Sequence, residues 1–139
     1  MITTEKTKGA SIKEIRKREN EAKEKELREK CEAFAIEKFT RETLVKWSNE
    51  NKGLWFLPVL DEEGEIECLG IMRPITRSIL SYASTKIQDE GLYEFLEAAM
   101  RECWIEGDIK ILDEDDYFIP ASQQFNKILE GKKAALVKR

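Results

Sequence analysis

The stretch that decides the fold runs Leu54-Trp55-Phe56-Leu57-Pro58-Val59-Leu60, then Asp61-Glu62-Glu63-Gly64, then Glu65 to Met72, then Arg73-Pro74-Ile75-Thr76-Arg77. An apolar run meets an acidic turn, and a second, alternating run follows. That pattern predicts a β-hairpin. The Arg73-Pro74 step then opens a helical pattern through a rigid proline entry. Pro58 has no N–H to give to a ladder, so the first strand belongs at a sheet edge. Its side chains are apolar on both faces, so both faces should be covered. The second strand alternates Ile66, Cys68, Gly70 and Met72 against Glu65, Glu67, Leu69 and Ile71.

Downstream of the hairpin the periodicity is helical. A short helix is expected from about Thr76 to Thr85, broken by Gln88-Asp89-Glu90-Gly91. The clearest amphipath is Leu92 to Ile105, with Leu92, Phe95, Leu96, Ala99, Met100 and Cys103 on one stripe. Gly107 should stop it. Ile109 to Leu112 reads as an extended or turn segment, and Asp113 to Asp116 as an acidic loop. Pro120 is expected to start a further helix carrying Phe125, Ile128 and Leu129. A short basic amphipath, Lys132 to Arg139, should dock Leu136 on the core.

Upstream the chain changes character. Residues 1–10 are polar and read as a loose tail. Ser11 and Glu14 form a capping box for a helix over 11–38. That segment holds no Gly or Pro and is rich in Lys, Arg, Glu and Ala. The pairs Glu14–Arg18, Glu19–Lys23, Glu21–Lys25, Glu24–Arg28 and Glu26–Lys30 have the favourable i,i+4 order, each contributing about 0.2–0.5 kcal/mol. Apolar residues are sparse until Leu27, Cys31, Phe34 and Ala35. Glu19 and Glu26 interrupt any heptad seam begun by Ile12 and Ile15. Such a helix is about 40 Å long, against a radius of gyration of about 13 Å for a ~100-residue domain. Thr40 should cap a second helix to about Asn49, with Phe39 stapled to Leu44 and Gly53 or Asn51 at its left-handed end.

The expected organisation is therefore a tail over 1–10, a charged helical arm over 11–38 and a compact domain over 39–139. The fold class is α+β: mostly helical, one β-hairpin packed on several short helices, and a long charged N-terminal helix. One core should contain Phe56, Ile66, Ile79, Leu92, Phe95, Leu96 and Ala99.

Composition narrows the function. The 139 residues carry a formal net charge of −4 and no histidine. The acidic balance argues against a sequence-independent nucleic-acid binder. No run of about 18 apolar residues exists to span a membrane, and Met1 to Lys6 has no apolar core of a secretory signal. Without histidine there is no Ser-His-Asp or Cys-His nucleophile, nor the commonest metal ligand. The three cysteines, Cys31, Cys68 and Cys103, lack paired spacing and read as reduced thiols. The acidic loop has Tyr117-Phe118 where a calcium loop needs its glycine turn. No catalytic residue, cofactor or metal is expected, and the protein reads as a non-enzyme.

Two residue pairs stand out as partner-binding. Ile12 and Ile15 sit on the solvated end of the arm. Arg73 and Arg77 flank a helix start, where guanidinium groups can grip phosphate or a partner's carboxylates; the competing reading pairs Arg73 with a hairpin acid such as Glu65 or Glu67 and leaves Arg77 solvated. Trp47, Trp55 and Trp104 lack the interleaved cations of a nucleic-acid stacking platform. A thin apolar stripe gains little by self-association at about 25 cal/mol per Å² buried. Association with a different protein is expected over a stable homodimer.

A strand runs into Arg73-Pro74-Ile75-Thr76-Arg77 and a short helix. Next come Leu92 to Trp104, read as a helix ending in a Cys, an acidic connector, and a last helix from Phe125 to Leu129 with basic residues behind it. In this order of elements the segment from about Glu65 to Leu136 resembles the tail assembly chaperone-like proteins of bacteriophages and prophages. The likeness covers about half the chain. The 11–38 helix lies outside that pattern, and Trp55-Phe56-Leu57-Pro58 is more apolar than its usual first strand. The resemblance implies no catalysis. It implies a protein of the bacterial host cytoplasm that binds other phage structural proteins before assembly. The alternative within the same class is a structural component of the virion or of another large assembly.

Overall fold

The computed structural model describes the backbone of residues 2–85, 91–130 and 135–139, with side chains from position 11 onward within those ranges except at 130. The elements are α1 (Ile2–Phe39), α2 (Arg41–Asn51), β1 (Trp55–Leu60), β2 (Ile66–Met72), α3 (Arg77–Ser84), α4 (Leu92–Cys103), β3 (Trp104–Gly107), α5 (Lys110–Asp113) and α6 (Asp115–Asn126), closed by a 3-10 turn, Lys127–Glu130. The fold is α+β and mostly helical. Its three-stranded antiparallel sheet has the order β1-β2-β3.

The hairpin forms where its turn chemistry demands. The Asp61 carboxylate accepts the N–H groups of Glu63 and Glu65, both at 2.9 Å, and Gly64 takes φ 81°. Each side chain of β1 faces alternately up and down, so the sheet divides the apolar residues into two cores. One face carries Leu57, Cys68 and Met72 beneath α3, α4, α5 and α6, with Phe95, Leu96, Met100, Ile111 and Phe125. The other carries Leu69 and Ile71 beneath α1 and α2, with Cys31, Ala35 and Leu44.

This division corrects the expected single core. Phe95, Leu96 and Ala99 are buried and Ile79 packs against them. Phe56 and Ile66 belong to the opposite cluster. Ile66 crosses over because the register slips between Val59 and Leu60, which skips Glu67 and flips the alternation. Leu92, the first residue of α4, is 56% exposed, outside both cores.

Several local expectations change as well. Helix α1 begins at Ile2, so Gly9 and Ser11 lie inside it, and Ser11 is no N-cap. Among the described residues only Glu26–Lys30, at 3.8 Å, forms an ion pair out of the five expected along α1. Lys30 is drawn instead toward Glu65, at 3.4 Å. Helix α3 falls where expected, between Thr76 and Thr85, and Thr76 caps it by accepting the Ile79 N–H at 3.3 Å. Thr40 caps α2 as expected, and Lys52 takes the left-handed position at its end. Phe39 meets Trp47 edge-on at 5.4 Å. Helix α6 begins at Asp115, leaving Pro120 inside it; Asp115 and Asp116 fill its first turn, where they favour the helix dipole. The break at 88–90 and residues 131–134 lie outside the described residues. Residues 135–139 form no helix, and Leu136 is fully exposed rather than docked.

The third strand has no counterpart in the sequence expectations. Trp104 and Ile105 continue the helical period of the preceding run, yet Trp104 to Gly107 pairs with β2 through Gly70↔Gly107, Ile71↔Glu106 and Met72↔Trp104. It covers the second edge of β2, and among the described residues no strand pairs with the outer side of β1.

Candidate interaction surface

Helix α1 is 38 residues long, about 57 Å at 1.5 Å per residue. Only its second half meets the sheet. Cys31 and Ala35 are buried there, with Leu27, Phe34, Ile36 and Phe39 packed around them. Lys38 adds two contacts through its ammonium, which lies 5.0 Å from the Phe34 ring and 3.6 Å from Asp108. From residue 12 to residue 26 every side chain is exposed. Ile12 and Ile15 stand 54% and 48% exposed on this solvated half.

Arg73 and Arg77 sit elsewhere, at the junction of β2 and α3. Both are exposed, and neither makes an ion pair among the described residues. The acids expected to pair with Arg73 are engaged otherwise: Glu65 by Lys30, and Glu67 by the Tyr117 hydroxyl, which donates to it at 2.9 Å. The backbone N–H of Arg73 donates to the Cys103 carbonyl at 2.7 Å, which ties the chain there to the end of α4. The two arginines thus lie at the β2–α3 junction and the two isoleucines on the first half of α1, so they belong to different elements.

Among the described residues the carboxylates do not gather into one cluster. Asp108 accepts the Leu69 N–H at 3.3 Å. Asp113 takes Arg101 at 2.8 Å, a contact half open to solvent. Among the described residues no three His, Cys, Asp or Glu side chains come together as a metal site. The thiols of Cys31, Cys68 and Cys103 are free and buried, and burial pushes each up to about 11. Arg73 pulls against that shift at Cys103. A thiol held protonated is a poor nucleophile.

The surface that sequence reasoning missed lies along β1. Two cavities, of about 720 and 760 Å³, flank the strand, the first toward α1 and α2 and the second toward α6. Both are lined by Leu27, Trp55, Phe56 and Pro58, so they form one trough over the strand's outer side. Trp55 is 48% exposed within it. Pro58 pointed to an edge strand, but only the packing of α1 and α6 on either side makes that edge a trough.

No family model matches the chain, and neither a curated protein nor a solved structure shows significant similarity to it. Among the described residues no helix is long and apolar enough to cross a membrane.

Proposed function

We propose that this protein is a non-enzymatic interaction factor that binds other structural proteins of a phage through the solvated half of α1, acting in tail assembly within the bacterial host. One observation supports a binding role above the rest. The chain extends fifteen residues, 12–26, as helix with every side chain exposed. A helix with so thin an apolar stripe contributes little to the fold's own core. Ile12 and Ile15 are then available to a partner at the far end, while Leu27, Cys31 and Phe34 anchor the near end. The choice of a phage assembly rests on the resemblance of residues 65–136. The buried, protonated thiols and the dispersed carboxylates favour a binding role over a catalytic one.

The test uses the full chain and a chain lacking residues 1–25, each immobilised and exposed to lysate of the phage-infected native host. The full chain should retain one phage structural protein in near-stoichiometric amount. Deletion, or the double substitution Ile12→Asp with Ile15→Asp, should release it, with thermal unfolding nearly unchanged. Equal retention by all three chains would remove the arm from the binding surface.

A further inference from the structure

The backbone of β1 shows which of its groups are free. Leu69 of β2 donates its N–H to the Asp108 carboxylate at 3.3 Å, and its carbonyl accepts the Asp108 N–H at 3.0 Å. Both Leu69 groups therefore face β3, away from β1. In an antiparallel ladder, residues whose groups face one neighbour alternate with residues whose groups face the other. Pro58↔Leu69 and Phe56↔Ile71 are then non-hydrogen-bonded pairs, and the backbone of Phe56 and Pro58 points outward. Among the described residues nothing outside the sheet bonds to either. The free edge presents the Phe56 N–H, the Phe56 carbonyl and the Pro58 carbonyl to the floor of the trough.

The walls of the trough are apolar, with Leu27 and Trp55 toward α1 and Phe125 and Ile128 toward α6. Its charges have mostly one sign. Among the described residues Glu67 and Asp116 are the only charged ones lining the α6 side. Glu24 and Glu32 flank Arg28 on the α1 side. The hairpin turn adds exposed Asp61, Glu62 and Glu63 at the end of the strand. A second copy of this chain would bring the same carboxylates and a second proline to the edge, so self-pairing meets like charge and lacks a donor.

We propose that the free edge of β1 takes an extended segment of a partner protein, apolar and basic, added as a fourth strand. This rests on the reading of the protein as a partner-binding factor and names a second, separate surface for that role. The partner's backbone exchanges two hydrogen bonds with Phe56 and donates one to the Pro58 carbonyl. Its apolar side chains enter the trough on alternate residues, as strand addition requires. Its lysines or arginines meet Glu67, Asp116 and the turn acids.

The probe is a blocked peptide of about eight residues alternating lysine with valine or leucine, long enough at ~3.3 Å per residue to cover β1. The control replaces each lysine by glutamate. Amide exchange and chemical shifts of the full chain are followed by NMR. The lysine peptide should bind saturably and slow exchange of the Phe56 amide at least about tenfold, leaving the Leu57 and Val59 amides, already in the ladder, nearly unchanged. Its affinity should fall severalfold as salt rises from about 50 to about 300 mM. The Asp116→Lys substitution, at an exposed position, should weaken it severalfold, and the glutamate peptide should bind at least about tenfold more weakly. Equal binding of the two peptides, or an unchanged Phe56 amide, overturns the proposal. So does Phe56 protection in the chain alone that grows with protein concentration, which assigns the edge to a second copy. Protection lost on removing residues 131–139 assigns the edge to the chain's own C-terminal segment and overturns the proposal equally. If the peptide fails while deletion of residues 1–25 still releases the retained phage protein, only the trough is removed. If the peptide binds and that deletion changes nothing, the arm falls instead.

Discussion

The indole of Trp104 lies over Gly70, so closely that a Cβ built on the glycine would stand 2.5 Å from Cζ3 and 2.6 Å from Cη2. Trp104 opens β3, at the opposite end from Gly107, which pairs with Gly70. Gly107, at φ 135°, sits against the Leu69 carbonyl, where a Cβ has no room. Two glycines facing each other thus let the third strand approach β2, and the indole fills the space that Gly70 leaves.

Gly70→Ala should therefore force the indole aside, destabilising the fold by about 1–3 kcal/mol, as overpacking does. Urea unfolding of Gly70→Ala, Trp104→Ala and the double variant forms the check. The two losses should be less than additive, because removing the indole makes room for the new methyl. Strict additivity would mean the two residues do not share that space.

Phe95 and Leu92 lie on one stripe of α4 but differ in burial, at 9% and 56% exposed. Phe95→Ala should cost about 3–5 kcal/mol. Leu92→Ala should stay within about 0.5 kcal/mol. Denaturant melts separate the two outcomes, and equal losses would place Leu92 in the core after all.

Ala35 has no exposed surface where α1 crosses the sheet, whereas Ala33 faces solvent. Enlarging Ala35 to leucine should destabilise by about 1–3 kcal/mol, because the helix must lift from β2. The same change at Ala33 should leave stability within about 0.5 kcal/mol. If both are neutral in thermal and urea melts, the second half of α1 is not docked.

The three buried thiols give stability an alkaline limb. Each is pushed from 9.0 up to about 11, chiefly by burial. Unfolded thiols ionise first, so between about pH 9 and about pH 11 the unfolded state holds fewer protons than the folded one. Stability complete below about pH 9 is thus lost as pH rises toward about 11. The urea midpoint should fall across that window, and less steeply when Cys31, Cys68 and Cys103 are all alanine. An equally steep limb in that variant would assign the effect to other groups. Near pH ~8 the native thiols should resist alkylation that the unfolded chain accepts readily.

The sequence by itself determined the elements whose causes lie within a few residues. The Asp61–Gly64 turn, the Thr40 cap, the hairpin, the short helix after Pro74 and the amphipathic run from Leu92 all depend on local hydrogen bonds and periodicity. So did the docking stripe Leu27, Cys31 and Phe34, because a helix presents residues three and four apart on one side. Only the tertiary structure decided what depends on distant partners. Trp104 to Gly107 extends a helical pattern in sequence, but pairing with β2 and the bare surface of Gly70 draw it into the sheet. The slip beside Glu67 sends Ile66 to the α1 side, dividing one expected core into two. The free edge of β1 was legible in Pro58. Which of its backbone groups face outward followed only from the bonds that Asp108 makes to Leu69, 39 residues away in the chain. Local sequence carries propensity and period; it does not carry which strand a distant carboxylate will turn away from its neighbour.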